Sequence, residues 1–600
     1  MKKIGDHLER WLIKYIPALM GSWALQLIMG ITVRNPLTVV LFVCIYFLNK
    51  WVFSFKFVKK PPILWILSIE AVPTLISALI TYLLYGKLTA QFSSGIFKIL
   101  TVFILFAGTY ILLTLFCMAL WILFRKDLFE MRQKTGKAPG RKALTGATEI
   151  KVFAVAAISC FLGYLPYYLY EFPGIMTADS LVQFMQIIGA FEYSNHHPVV
   201  HTLLIKLFYR IGLALTGSKI YGIATYTFVQ MIFMALCNGA AVREMVRIEK
   251  CLNVKHVVLS IIFFAFMPFN AVFAVTMWKD VPFAGIAVLL ACNIVEMYRK
   301  REENISVLKY ISFFILSVLF MLFRSNAFFA MIPFMMVFIY VFRKKIVPAA
   351  ITALLAIITV VVIKGPVFDA FNVGSPDFTE SLSVPLQQVA RVLVEEGNVS
   401  DDELTQIDAV IDRTYVKELY AADFADNIKE LVRAGHPEIL EANKGQYLDL
   451  WFKLFLKNPV LYVRAWYDLT GGYIYPDVAY KVGDIDGIMS NEHGLISEPK
   501  IGGKFIKVKE ILIKLSDFMP IYGMFFSIGA YFWGLVITMV LAIRRKKNIL
   551  IHVLMLLLVA TLLIASPVVD FRYGYAYVLT MPIWLALTLS ENGKGSEEKL

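Results

Sequence analysis

The chain predicts an all-α polytopic membrane protein of about fourteen transmembrane helices, with a mainly helical extracytoplasmic insert before the last three spans. Three observations predict this. Of 600 residues, 59% are hydrophobic and 17% charged, with a mean hydropathy of +0.68, so lipid is most of the solvent. The apolar residues form runs of about 17 to 25, long enough to cross a hydrocarbon core of about 30 Å as helix, and they lack the alternation of a barrel strand. Basic clusters fall on alternate loops, the orientation signal of helical membrane proteins.

In chain order the spans are expected at 15–33, 36–54, 61–85, 99–124, 152–169, 219–241, 256–276, 281–297, 307–323, 326–342, 346–364, 520–542, 549–566 and 573–589. A charged, amphipathic lead (Lys2, Lys3, Asp6, Glu9, Arg10, Lys14) precedes the first, which is long enough to cross and reads as a retained helix, not a cleaved signal. The basic loops carry Lys56, Lys59 and Lys60; Arg125 through Lys151; Arg243, Arg247, Lys250 and Lys255; Arg299, Lys300 and Arg301; Arg343, Lys344 and Lys345; and Arg544 to Lys547. All are expected in the cytoplasm with both termini, giving a multi-pass protein of the cell membrane. Residues 198–216 are also apolar and helical, but letting them cross would put the Arg243 cluster outside. They are therefore expected at the outer interface, where Lys206 and Arg210, four apart on one helix face, suit the headgroup region. The net charge of +14 is then an orientation signal, and it offers no patch for nucleic acid.

This divides the chain into an N-terminal four-helix block (1–124), a basic cytoplasmic linker (125–151), a core membrane block (152–364) whose first outer loop is 170–218, an extracytoplasmic domain (365–518), a three-helix block (519–590) and a cytoplasmic tail (591–600). The linker contains KTGKAPGRKALTG, a flexible composition. The 365–518 stretch holds 25 acids against 15 bases, as expected on the side without the positive bias. Within it, LQQVARVLVEE after Pro385 puts Leu386, Val389, Ala390 and Leu393 on one helix face, and Ser400 with Glu403 forms a capping box. NPVLYVRAWYDLTGGYIYPD, broken at Gly471 and Gly472, reads as an aromatic rim. The six cysteines (Cys44, Cys117, Cys160, Cys237, Cys251, Cys292) avoid this domain, which argues against a disulfide framework or a thiolate metal site.

The densest polar chemistry lies in the first outer loop, in PGIMTADSLVQFMQ and SNHHPVVH. Thr177 or Asp179 can cap a short helix carrying Gln183 and Gln186, which sets an acid beside amides at the membrane surface. His197 and His201, four apart and next to Asn195 and His196, would share a helix face; they suit hydrogen bonding to a phosphate or sugar better than a metal, for want of a carboxylate at fixed distance. Three more polar groups stand at outer ends of spans: Lys279-Asp280, Arg324-Ser325-Asn326 and Asp570-Phe571-Arg572-Tyr573. Each alone is an ordinary interfacial anchor, but all gather on one side. Glu70 is the one clear acid at membrane depth, and it can simply face a partner helix.

Asp179 in the first outer loop, Asp280 outside a later span, Arg324 at the outer end of another, the large insert, and Arg572-Tyr573 before the last span resemble the C-type glycosyltransferase superfamily. LSVPLQQVARVL and DFRYGYAY further resemble a family of Gram-positive bacterial membrane proteins with that fold, over roughly residues 150–590. The resemblance implies transfer of a sugar from a polyprenyl-phosphate-linked donor to an extracytoplasmic acceptor such as a cell-envelope glycan. The paired DxD or ExD acids of the superfamily are absent, since Ala178 and Ser180 flank Asp179, so no cofactor is expected and a divalent cation, while left open, has no DxD-type motif to support it. For such chemistry Asp179 would be the general base, with Asp280 orienting a cation or the acceptor. Lys279, Arg324 and Arg572 would meet the leaving phosphate, with His196, His197, His201, Gln183 and Tyr573 as further binding groups. The rivals are a transporter or flippase of lipid-linked saccharide, which the lack of an internal repeat and of midplane charges disfavours, and a non-catalytic cell-envelope scaffold.

Overall fold

The computed structural model describes residues 2–58, 61–90, 95–131, 145–250, 253–478 and 480–590. Expectations about Lys59, Lys60, Cys251, linker residues 132–144 and the tail 591–600 lie outside the described residues, as do those about the side chains of the lead up to residue 13. The chain is 76% helical, and its one described sheet is a pair of three-residue antiparallel strands, Phe55–Phe57 and Phe129–Met131, which makes it an all-α protein. Among the described residues seven helices are long and apolar enough to cross a membrane, and an eighth if one bent pair counts as a single span.

The chain divides into two compact units. The first comprises 1–140, 476–479 and 511–527. Its helices are Lys2–Met29, Pro36–Val52, Ile63–Thr89 and Gly95–Phe124. Asn35 accepts a hydrogen bond from the Leu37 amide and Pro36 opens the turn, so the second helix starts where the preceding chain can no longer be helical. Trp23, Phe97, Ile104, Leu105 and Phe518 pack into one core. Arg34 is almost fully buried and donates to the Val478 carbonyl while pairing with Asp517 at 3.3 Å. Glu70 lies on an exposed face rather than against another helix.

The second unit comprises 141–475, 480–510 and 528–600. At its centre is the helix Asp280–Arg299, with 83% of its apolar window buried. A helix apolar on every face can only be satisfied when surrounded; it packs among Lys219–Glu249, Val307–Phe323 and Tyr575–Leu579. At one end of this bundle the buried Glu244 pairs with Arg299 (2.9 Å) and Arg247 (3.6 Å), and Arg247 also pairs with Glu149. The stretch expected as one span at 256–276 is broken: Val254–Phe266 and Pro268–Ala274 meet at 55°. Met267 is extended and Pro268 has no amide hydrogen to continue the ladder.

The 365–518 stretch does not behave as one body. Residues up to 475 form helices Ser383–Val394, Asp401–Asp408, Lys444–Lys457 and Pro459–Thr470 around Val392, Ile407, Leu450, Leu454 and Tyr462, with helix Asp426–Ala434 packing through Ile428 against Ala390 and Val416. The Ser400–Glu403 capping box is formed, with the Ser400 amide donating to Glu403 at 2.9 Å, and Leu386 and Leu393 pack about the buried Ala390. Residues 480–500 are instead mostly irregular. Several of their hydrogen bonds reach Leu169, Glu171, Phe172 and Met176, about three hundred residues earlier in the chain.

Candidate functional site

The site begins with backbone. Ile175 and Met176 are extended and held on both sides: the Ile175 amide donates to Val275 (2.9 Å) and its carbonyl accepts from Met277 (3.0 Å), while Met176 exchanges the same pair of bonds with Gly487 and Met489 (3.0 and 2.9 Å). Gly174 makes the approach possible. Its φ is +142°, and an added Cβ would stand 2.9 Å from Thr227 Cγ2. Thr177 then turns the chain into helix Ala178–Ile188, with Asp179 in its first turn where the helix dipole favours an acid. Ser180 donates to the Met277 carbonyl (2.9 Å) and Trp278 Nε1 to Thr177 Oγ1 (2.8 Å), so the acid and the Lys279-Asp280 pair are set by one framework.

Onto this framework the last loop brings Arg572. Asp570 caps that loop by accepting from the Arg572 amide. The guanidinium donates to Asp179 at 3.0 Å, pairs with Asp570 at 2.9 Å, and lies 4.7 Å from the Trp278 ring centre. The Tyr573 ring sits between two guanidinium groups, 5.0 Å from Arg572 and 4.6 Å from Arg324. Arg324 ion-pairs with Asp280 and donates to Asn326. Lys279 Nζ lies 3.4 Å from His197 Nδ1. Seven of the expected residues (Asp179, His197, Lys279, Asp280, Arg324, Arg572, Tyr573) thus form one continuous constellation.

Its electrostatics follow from burial and pairing. Burial works to raise the Asp179 pKa, but Arg572, Lys279 and His197 outweigh it and hold the carboxyl at about 2. Burial pushes Lys279 down to about 8, against the pull of Asp179, and burial with the Lys279 charge pushes His197 to about 3. His197 is therefore a neutral acceptor for Lys279. Burial alone would lower Arg572, yet Tyr573, Asp570 and Asp179 hold its pKa above the ordinary value. A cavity of about 340 Å³ opens beside Arg572, walled by Asp179, Trp278, Lys481, Asp484 and Asp570 among others. Its wall carries two cations, Arg572 and Lys481, beside three carboxylates, and a guanidinium released from its acid can hold an oxyanion.

Of the expected residues Asp179 and Arg572 line it, whereas Lys279, His197, Arg324 and Tyr573 belong to the constellation without lining the cavity. His201 is 0% exposed and Gln183 1%; their polar atoms meet each other (3.0 Å), Tyr226 and Thr202, so they brace the framework instead of offering hydrogen bonds to a ligand. The anticipated shared helix face fails because the helix starts only at Val199, leaving His196 and His197 in the loop before it. His196 is exposed, and its ring stands 4.8 Å from the His197 ring. Asp280 is 1% exposed and faces Arg324, so it positions that cation and does not reach the cavity. Among the described residues no three His, Cys, Asp or Glu side chains gather as a metal-ligand set.

Sequence reasoning missed the clamp that holds the cavity wall. Buried Glu171 accepts from the Gly487 amide (2.8 Å) and from buried Lys509 (3.1 Å), which also donates to Ile485 O (3.0 Å) and to Asp486. Burial raises the Glu171 pKa, with Lys509 opposing. The available signal was an acid directly after an apolar run and two residues before a proline. No curated protein and no solved structure matches the chain. A family model does match, over residues 189–599, a stretch that holds Lys279, Arg324 and Arg572 and starts ten residues beyond Asp179; the chain belongs to that family, described as "Family of unknown function (DUF6020)".

Proposed function

We propose that this protein is a membrane glycosyltransferase of the C-type superfamily, moving a sugar from a polyprenyl-phosphate-linked donor to an extracytoplasmic acceptor, a cell-envelope glycan or related polymer. The observation that carries the reading is the ion pair between Asp179 and Arg572, 393 residues apart in the chain, at a small cavity, with Lys279 close enough for its charge to act on Asp179. In the reaction the acceptor hydroxyl oxygen bonds to the anomeric carbon as the bond from that carbon to the phosphate oxygen breaks. The hydroxyl proton goes to Asp179, and the charge left on the phosphate goes to Arg572 and Lys279, with Arg324 held in reserve by Asp280. A carboxyl held at about 2 is a weak base. Its basicity rises once the donor phosphate engages the cations that now hold it down.

The fourteen-span topology fits this reading, with both termini in the cytoplasm, residues 365–518 outside and helix Val199–Thr216 along the outer surface. Helix Lys219–Glu249 has Tyr226 at the level of the site and Arg247 in the basic cluster; 21 residues of helix rise about 30 Å, one hydrocarbon thickness. The test is transfer in proteoliposomes carrying a polyprenyl-phosphate sugar and an outer acceptor. Asp179→Asn is expected to lose at least about 100-fold in rate while remaining folded. Wild-type rates in that variant, or labelling that finds residue 179 on the cytosolic side, would defeat the proposal.

A further inference from the structure

Helix Val199–Thr216 buries His201, Thr202, Ile205, Tyr209 and Gly212 and turns the rest of its surface outward. That outward face is apolar: Leu203, Leu207, Ile211 and Leu215 are all exposed. Two cations interrupt it. Lys206 Nζ donates to the Tyr193 hydroxyl (2.6 Å) and lies 5.0 Å from that ring centre, while Arg210 is exposed and makes no ion pair or hydrogen bond among the described residues. Lys206 and Arg210 share a cleft of about 390 Å³ with Leu203, Leu207, Ile211 and Ala214. Among the described residues no acid pairs with either charge.

The helix is long and apolar enough to cross a bilayer, but Lys206 and Arg210 are its eighth and twelfth residues of eighteen. Crossing would leave both near mid-depth, with Arg210 facing hydrocarbon unpaired, which is strongly disfavoured. The packing points the same way. Gly212 backs onto Tyr221 and Gly222, and His201, eleven residues earlier, bonds to Tyr226, so both ends meet the first two turns of Lys219–Glu249.

We propose that this helix lies in the plane of the membrane surface and that the Lys206–Arg210 cleft seats the phosphate of an anionic phospholipid, with its acyl chains against Leu203, Leu207 and Ile211. An in-plane helix with cations flanking an apolar face is the arrangement that gains from both halves of a lipid. The inference stands apart from sugar transfer, since it concerns an outer face that the cavity does not use.

Two measurements on the full-length protein test it. The first is lipid retention by native mass spectrometry from nanodiscs of mixed phosphatidylglycerol and phosphatidylcholine. Wild type should retain the anionic lipid about 10- to 30-fold in preference, at about tenfold or less per basic residue, and Lys206→Gln/Arg210→Gln should lose that preference. The second needs no loss of charge: a nitroxide at 203, 207, 211 or 214 in vesicles, read for depth by collision with oxygen and with a water-soluble nickel complex. All four should lie at one depth, near the headgroups. A depth that changes steadily over about 16 Å, the rise of eleven helical residues, would overturn the in-plane placement, and equal retention of the two lipids by wild type would overturn the phosphate seat.

Discussion

Replacing Asp179 by asparagine asks whether that carboxylate stands where a ligand's oxyanion would bind. In the structure its carboxyl is held at about 2 instead of 3.8, a preference for the charged form of about 2.4 kcal/mol at about 1.36 kcal/mol per pH unit. The side chain is 31% exposed, so water screens part of this and about 1–2 kcal/mol remains. Sulfate entering the cavity must displace Asp179 to reach the Arg572 nitrogen it occupies, whereas in Asp179→Asn that nitrogen no longer faces a carboxylate and, among the described residues, only Asp570 still pairs with the guanidinium. The variant should therefore bind sulfate about 5- to 30-fold more tightly, since about 1.4 kcal/mol is tenfold. Thermal unfolding of the purified protein in detergent, followed against sulfate concentration, reads both affinities. The pH window follows from the sign of the shift. A depressed carboxyl contributes stability above its ordinary 3.8 and loses it as pH falls from 3.8 towards 2, so the comparison at pH 7 carries the full effect. Equal sulfate affinities at pH 7 would refute the reasoning, as would tighter binding that survives a further Arg572→Gln.

Sulfate affinity of the wild type should fall as pH passes about 8, where Lys279 loses its proton, and Lys279→Arg should abolish the fall. By the same linkage the unfolded chain keeps that proton up to 10.5, so this group's contribution to stability rises between about pH 8 and 10.5, as titration of the melting temperature will read. Glu171→Gln leaves Lys509 buried with a half-exposed Asp486 as its remaining acid, at a cost of about 3 kcal/mol. Trypsin should then cut faster after the exposed Lys481, and Glu171→Met/Lys509→Met should recover much of the protection. Gly174→Ala meets both the +142° φ and Thr227, so it should lower stability by about 1–3 kcal/mol, with little relief from Thr227→Ala in fluorescence-detected thermal gel filtration.

The residues of the site that were legible in the sequence were those whose chemistry clashes with their surroundings. Asp179, Lys279, Arg324 and Arg572 each interrupt apolar sequence, and charge next to lipid has few bland explanations. The spacing of His197 and His201 misled because an i, i+4 rule holds only inside a helix, and Pro198 delays the helix to Val199. Lys509 was hidden for the opposite reason: it is one of four lysines in a segment that reads as amphipathic surface, and only the long-range pairing with Glu171 sets it apart. The 256–276 stretch read as one span because hydropathy is blind to direction, although Pro268 held the cue for the bend.

The doubly hydrogen-bonded pair Ile175-Met176 has a consequence for how this protein can change. Its bonds are made by main-chain atoms, so side chains at 175, 275 or 488 can be exchanged for others of similar bulk without shifting the loop register. Losing or gaining a single residue between Glu171 and Asp179 is another matter. It would slip that register against two neighbours at once and turn the acid away from Arg572, so tolerance here should be wide for replacement and nearly nil for changes of length.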